Sequence, residues 1–147
     1  RDNEITLTAF GAVFTGAGRA LLGDAMADEM ERVAFGDDVK RAKTRVKYLR
    51  TPAILVVGCA PDVNAMLHAE NRDAVAAGIQ NALLGATTLG LASFWSTPAL
   101  TQPESVLDVC GFDPDDRLVG IIYLGWATQT CAAPERPPIA ITHITGV

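Results

Sequence analysis

From Asn71 to Gly90 the chain carries a helical pattern whose side chains are small on almost every side: Ala74, Ala77, Gly78, Asn81, Ala82, Gly85 and Ala86. Helices on protein surfaces usually divide into an apolar stripe and a charged back. Here no charged residue follows Asp73, so the segment needs cover nearly all round. A chain of 147 residues supplies one domain and not two. Part of the cover is therefore expected from a second subunit. The segment does not read as a membrane span. Gln80, Asn81, Thr87, Thr88 and its glycines interrupt a run that would need roughly 18 apolar residues.

The elements around this helix follow from periodicity and breakers. Ile5 to Phe14 is apolar and β-prone in its later part, and Thr15-Gly16-Ala17-Gly18 turns the chain. Arg19 to Val33 places Leu21, Leu22, Ala25, Met26, Met30 and Val33 on one broad helical face, closed by Phe35-Gly36. Asp37 or Asp38 caps a second helix running to about Tyr48. Ala53 to Cys59 is a short, β-branched apolar run, read as a strand buried on both faces. Ala60 to Glu70 reads as a connection, Leu91 to Trp95 as a short strand, Pro103 to Cys110 as a short helix, and Arg117 to Leu124 as a last strand. Pro134, Pro137 and Pro138 keep the tail from forming a long helix, so it is expected to wrap over a surface or a partner. The order β-α-α-β-α-β-α-β-tail, without repeat or linker, predicts one mixed domain around a single sheet.

Composition excludes several classes. A net charge of −5 gives no support to binding of nucleic acid or anionic membrane. Cys59, Cys110 and Cys131 are far apart and odd in number, and with His68 and His143 they show no metal-ligand spacing. A reduced, cytoplasmic protein is the simplest reading. The chain opens Arg1-Asp2-Asn3-Glu4 without Met, so an N-terminal segment is expected upstream.

Some residues offer chemistry and also a plainer explanation. Gly16-x-Gly18 sits between a strand and a helix, but Leu21 replaces the third glycine of a dinucleotide fingerprint, so a simple turn is preferred. Lys40, Arg41, Lys43, Arg45, Lys47 and Arg50 hold half of the 12 basic residues and could attract a nucleotide phosphate. Such runs are more often a solvated helix face. Trp95 is either a core aromatic or the wall of a pocket. No Ser/His/acid set, carboxylate pair or phosphate loop stands out.

Ala74 to Trp95, with Ala-Gly-Ile-Gln-Asn-Ala-Leu-Leu-Gly-Ala followed by Leu-Gly-Leu-Ala-Ser-Phe-Trp, resembles the central helix and following strand of the nitroreductase family. Arg50-Thr51-Pro52-Ala53-Ile54-Leu55-Val56-Val57 and Leu118 to Gly125 look like two of its strands, and Gly16 to Leu22 like its first strand-to-helix turn. Trp95-Ser96-Thr97-Pro98-Ala99-Leu100-Thr101 is similar to the small, YdjA-like single-domain members. There are departures. The family's N-terminal Arg-Arg-Ser-type motif for the flavin phosphate has no counterpart. Thr8-Ala9 stands in place of Pro-Trp, and Thr128-Gln129-Thr130 replaces a basic residue after the last strand.

The resemblance implies an α+β fold over residues 1–147, an antiparallel-type sheet flanked by helices, in a homodimer with FMN at the interface. It implies an NADH- or NADPH-dependent flavin oxidoreductase passing electrons to a nitro compound, quinone or other small acceptor by a ping-pong scheme. Asn3, Trp95, Ser96 and Thr97 would lie on the cofactor side, with the backbone N–H groups of Ser96 and Thr97 facing the redox-active edge of the flavin. Gly85, Ala86, Thr87, Thr88, Leu89 and Gly90 would lie on the nicotinamide or dimer side, although helix packing explains small residues equally simply. No metal is implied. The alternative is a scaffold or ligand-binding module of the same fold that holds no flavin.

Overall fold

The computed structural model describes residues 9–129 and 132–145. Asn3 and Cys131 lie outside the described residues. Four strands, β1 (Ala9–Thr15), β2 (Ala53–Cys59), β3 (Ala92–Ser96) and β4 (Arg117–Gly125), form one sheet in the order β1-β2-β4-β3. Every neighbouring pair is antiparallel. Four α-helices flank it: α1 (Gly18–Arg32), α2 (Asp38–Lys47), α3 (Ala65–Thr88) and α4 (Glu104–Cys110). The expected order of elements and the α+β class are both observed.

The sheet separates two apolar layers. On one face Ile54, Val56, Leu118 and Ile121 meet Leu22, Met26 and Met30 of α1, Tyr48 after α2, and Val106 and Leu107 of α4. On the other, Val119 and Ile122 meet Val75 and Ile79 of α3, with Trp95 and the buried Cys59. The period-2 alternation of a strand sorts these side chains. A register shift opposite Val57 and Gly58 leaves Val119 and Gly120 both on the α3 side. The two-sided burial expected for β2 holds on the α1 side. On the α3 side Leu55 and Val57 are half-buried, because α3 does not reach across β1.

Local chemistry sets the helix ends. The Asp37 carboxylate accepts from the Lys40 N–H at 2.7 Å, with Asp38 in the first turn and Arg45 and Lys47 in the last, matching the helix dipole. Asn64 Oδ1 accepts from the N–H of Met66 at 2.9 Å, so α3 begins at Ala65. The expected connection from Ala60 to Glu70 is therefore shorter; the breakers Pro61, Asp62 and Asn64 belong to a cap and not to a long loop. Gly23 carries the contact between α1 and α2, since a Cβ there would lie 2.1 Å from the carbonyl oxygen of Arg45.

Two expectations about cover fail within one subunit. Of α3 only Val75, Ile79 and Ala86 are buried, while Ala74, Ala77, Gly78, Asn81 and Ala82 are exposed. Nothing lies within 4 Å of a Cβ built at Gly78 or Gly85. Internal packing therefore does not account for the small residues. The described tail from 132 to 145 is exposed throughout, including Ile139, Ile141 and Ile144. No described helix is long and apolar enough to cross a membrane.

Candidate functional site

Helix α2 ends at Lys47, a 3-10 turn (Tyr48–Arg50) follows, and Pro52 leads into β2, which sets Lys47, Arg50 and Thr51 over the sheet. Beneath them, β3 points Phe94 and Ser96 to the same face, and β4 contributes Tyr123, the register partner of Phe94. These six residues line a cavity of about 440 Å³, within the range of small-molecule sites. Its floor is aromatic. Tyr123 stacks on Tyr48 with centroids 6.0 Å apart and an interplanar angle of 12°. Phe94 lies 6.2 Å from Tyr123 and remains 65% exposed, a large apolar surface facing solvent at the cavity.

The rim is cationic. The Lys47 ammonium sits 4.7 Å from the Tyr48 ring centroid. Its burial, and secondarily the like charge of Lys40, hold its pKa below the usual lysine value. Burial pushes the Tyr123 phenol up, and the Arg50 charge partly offsets this, placing Arg50 within electrostatic reach of the floor. The other basic residues of α2 are occupied differently. Arg45 reaches back to Asp24 of α1 at 3.1 Å and also pairs with Asp28, while Arg41 pairs with Asp38. The solvated-face reading fits the exposed Lys40 and Lys43, while Lys47 and Arg50 line the cavity.

Ser96 is the last residue of β3, and Thr97 opens an exposed loop whose Pro98 is buried. No group among the described residues accepts from the Thr97 N–H. The Ser96 hydroxyl has only a long contact of 3.4 Å to the Thr97 carbonyl. The strand exit thus offers a backbone donor beside a cationic, aromatic-floored cavity. The loop is anchored further on, where the Thr101 carbonyl accepts from the Leu118 N–H at 2.9 Å.

The remaining sequence candidates fall elsewhere. Trp95 points to the opposite face, half-buried against the α3 layer, with its indole N–H buried and unpartnered. Gly85 to Gly90 closes α3 and leads into the start of β3, about 13 Å along the strand from Ser96. Thr87 and Thr88 donate to their own helix carbonyls at Leu83 and Gly85. Gly90, at φ 74°, makes the left-handed turn that ends the helix. One subunit does not bring the two groups together. Gly16, at φ 51°, is a turn, as expected. No cluster of potential metal ligands occurs among the described residues. Of this lining, the sequence singled out Lys47 and Arg50 within the basic run and Ser96 at the strand exit, but not Phe94 or Tyr123. Arg50-Thr51-Pro52 marks the helix-to-strand junction, but nothing local says that β2 and β3 flank β4.

A helix pair, an antiparallel sheet and a long helix on its far face define an α+β architecture, and comparison makes the assignment specific. The sequence pattern of the nitroreductase family matches residues 9–126, and the chain belongs to that family. No curated protein matches the sequence. Among solved structures, the nitroreductase-like family protein from Bacillus cereus is 25% identical with a TM-score of 0.76, over 94% of this chain and 73% of that one. A nitroreductase with bound FMN from Bacteroides fragilis NCTC 9343 is 19% identical with a TM-score of 0.67, over 99% and 80%. The FMN-dependent nitroreductase NfnB from Mycobacterium smegmatis, in complex with NADPH, is 14% identical with a TM-score of 0.59, over 84% and 70%. The last two share the fold alone.

Proposed function

We propose that this chain is an FMN-dependent oxidoreductase of the small, YdjA-like kind. It would draw electrons from NADH or NADPH and reduce nitro compounds, quinones or similar acceptors with ping-pong kinetics, as a cytoplasmic homodimer. The observation that carries the reading is the exit of β3, where Ser96 lines a cavity with Lys47, Arg50, Phe94 and Tyr123, and the next residue, Thr97, has an N–H with no acceptor among the described residues. FMN in the Bacteroides relative and NADPH in the Mycobacterium complex support the choice of cofactors.

The residues present fit a flavin in three respects. Phe94 and Tyr123, tilted 46° to one another, offer apolar aromatic surface to a ring. Lys47 and Arg50 offer positive charge to its pyrimidine edge or phosphate. The Thr97 N–H is a fixed donor that can meet electron density gained on reduction without reorganising. The flavin, when bound, supplies the two-electron exchange between nicotinamide and acceptor. The protein's part is to bind, orient and tune it. The exposed small-residue face of α3 supports a second copy as partner.

Purified full chain should be yellow, release flavin on denaturation and consume NADH or NADPH when given a nitroaromatic or quinone. A colourless protein that takes up no added FMN would overturn this reading in favour of a flavin-free scaffold or ligand-binding module.

A further inference from the structure

At the other end of the loop that leaves β3, a smaller cavity of about 210 Å³ opens on the α3 side of the sheet. Four separate elements converge on it. Arg117 starts β4 and is the register partner of Cys59, which ends β2. Thr101 is held over it by the hydrogen bond to Leu118. His68 and Arg72, four residues apart on α3, share one helix face and complete the lining.

The polar groups here are unsatisfied in a consistent way. His68 Nδ1 and Arg117 Nε are both buried and have no partner. Arg117 makes no ion pair among the described residues, and Arg72 has only the exposed Asp73 at 3.6 Å. The Cys59 thiol registers both positive charges. Burial and Asp116 push it up, while Arg72 and Arg117 pull it down. Asp116 does not fill the cavity. Its carboxylate accepts from the Asp113 N–H at 2.8 Å and lines a different cavity beside Phe10 and Gly11. Arg72 remains 62% exposed, which leaves the cavity a way in from solvent.

We propose that this cavity is a binding site for a phosphate-type oxyanion, held by Arg117, Arg72 and His68. A tetrahedral oxyanion accepts hydrogen bonds from several directions at once, and guanidinium groups suit it in geometry as well as charge. The volume accommodates one such group with a few waters, each needing about 30 Å³. The group is either free inorganic phosphate or the phosphate of an ester such as the nucleotide half of a nicotinamide donor. The assignment rests on this cavity alone and is independent of flavin binding.

The test is calorimetric titration of the full chain with inorganic phosphate at constant ionic strength, alongside 2′,5′-ADP as a phosphate ester. One saturable site is expected. Arg117→Met should weaken it at least tenfold and His68→Phe several-fold, while Lys43→Met, an equal charge loss on the exposed face of α2, leaves it unchanged. Competition by the ester assigns the site to an esterified phosphate; binding of inorganic phosphate alone assigns it to the free ion. His68→Phe gives the same reading should Arg117→Met fail to fold. Absence of saturable binding, or equal affinity in the His68 and Lys43 variants, would overturn the proposal.

Discussion

The Trp95 indole lies against Gly120 so closely that a Cβ on Gly120 would fall 2.5 Å from Nε1 and 3.0 Å from Ile79 Cδ1. The bulge in β4 turns Gly120 toward α3, and Trp95 occupies the space a side chain would take. Gly120→Ala should therefore cost about 1–3 kcal/mol by overpacking. The displaced Trp95 is one residue from Ser96, so ligand binding at the β3 exit should weaken as well. Urea midpoints check the first part, and Trp95→Phe on the Gly120→Ala background should recover much of the loss.

These relationships mark how far the sequence could be read. The strand from Ala53 to Cys59 was legible because an uninterrupted apolar run, with Ile54, Val56 and Val57 β-branched, stands between Pro52 and Pro61. The small-residue helix was legible as a helix, and within the single subunit only Val75, Ile79 and Ala86 of it are buried. Its start was not legible, because Asn64 serves as a cap in a stretch that reads as loop. The cavity was legible through Ser96 at the strand exit and through Lys47 and Arg50 of the basic run, and not through its aromatic floor. Lys47, Arg50, Phe94 and Tyr123 come from α2, its following turn, β3 and β4, and only strand order brings them together.

Glu29 links α1 to α4. Its side chain is 1% exposed, pairs with Arg32 and accepts from the Ser105 hydroxyl at 3.1 Å. The Arg32 hydrogen bond, aided by Ser105 and opposed by burial, holds its pKa below the ordinary value of 4.5. A lowered folded-state pKa contributes stability that is complete above the unfolded value and is lost as pH falls through the folded one. Glu29→Gln should destabilise the protein by about 1–3 kcal/mol near neutrality. That difference should shrink as acid protonates the wild type. Urea titrations between neutral and acidic pH measure it; a difference independent of pH would assign the loss to packing.

Gly85 separates assembly from folding. A Cβ there meets nothing within 4 Å inside the subunit. Glycine is also the poorer helix former by up to about 1 kcal/mol. Gly85→Glu should leave helix content and the fold intact while placing a charge on the proposed interface. Light scattering at micromolar concentration should show the wild type at twice the subunit mass and the variant at one. A monomeric wild type would remove the dimer from the proposal.

The Thr97 amide is the sharpest handle on the proposed chemistry. No described group accepts from it, so its loss should cost the fold little and a bound flavin much. Thr97→Pro removes the N–H and also biases Ser96 toward extended backbone angles, which Ser96 already has as the last residue of β3. Losing one well-placed donor to developing charge costs about 2.7–4 kcal/mol of barrier, or ~10²–10³ in rate. Thr97→Ala keeps the amide and deletes only the hydroxyl, and Ser96→Ala deletes a hydroxyl whose sole contact is long. Both should stay within a few-fold of wild type in steady-state reduction of a nitroaromatic or quinone, measured with NADH and with NADPH. Flavin content and melting temperature are followed for each variant, so that lost cofactor is not mistaken for lost chemistry. A Thr97→Pro protein that is folded, flavin-loaded and fully active shows that this donor does not serve the flavin. A severe defect in Ser96→Ala or Thr97→Ala, with flavin retained, moves the role from the backbone to a hydroxyl.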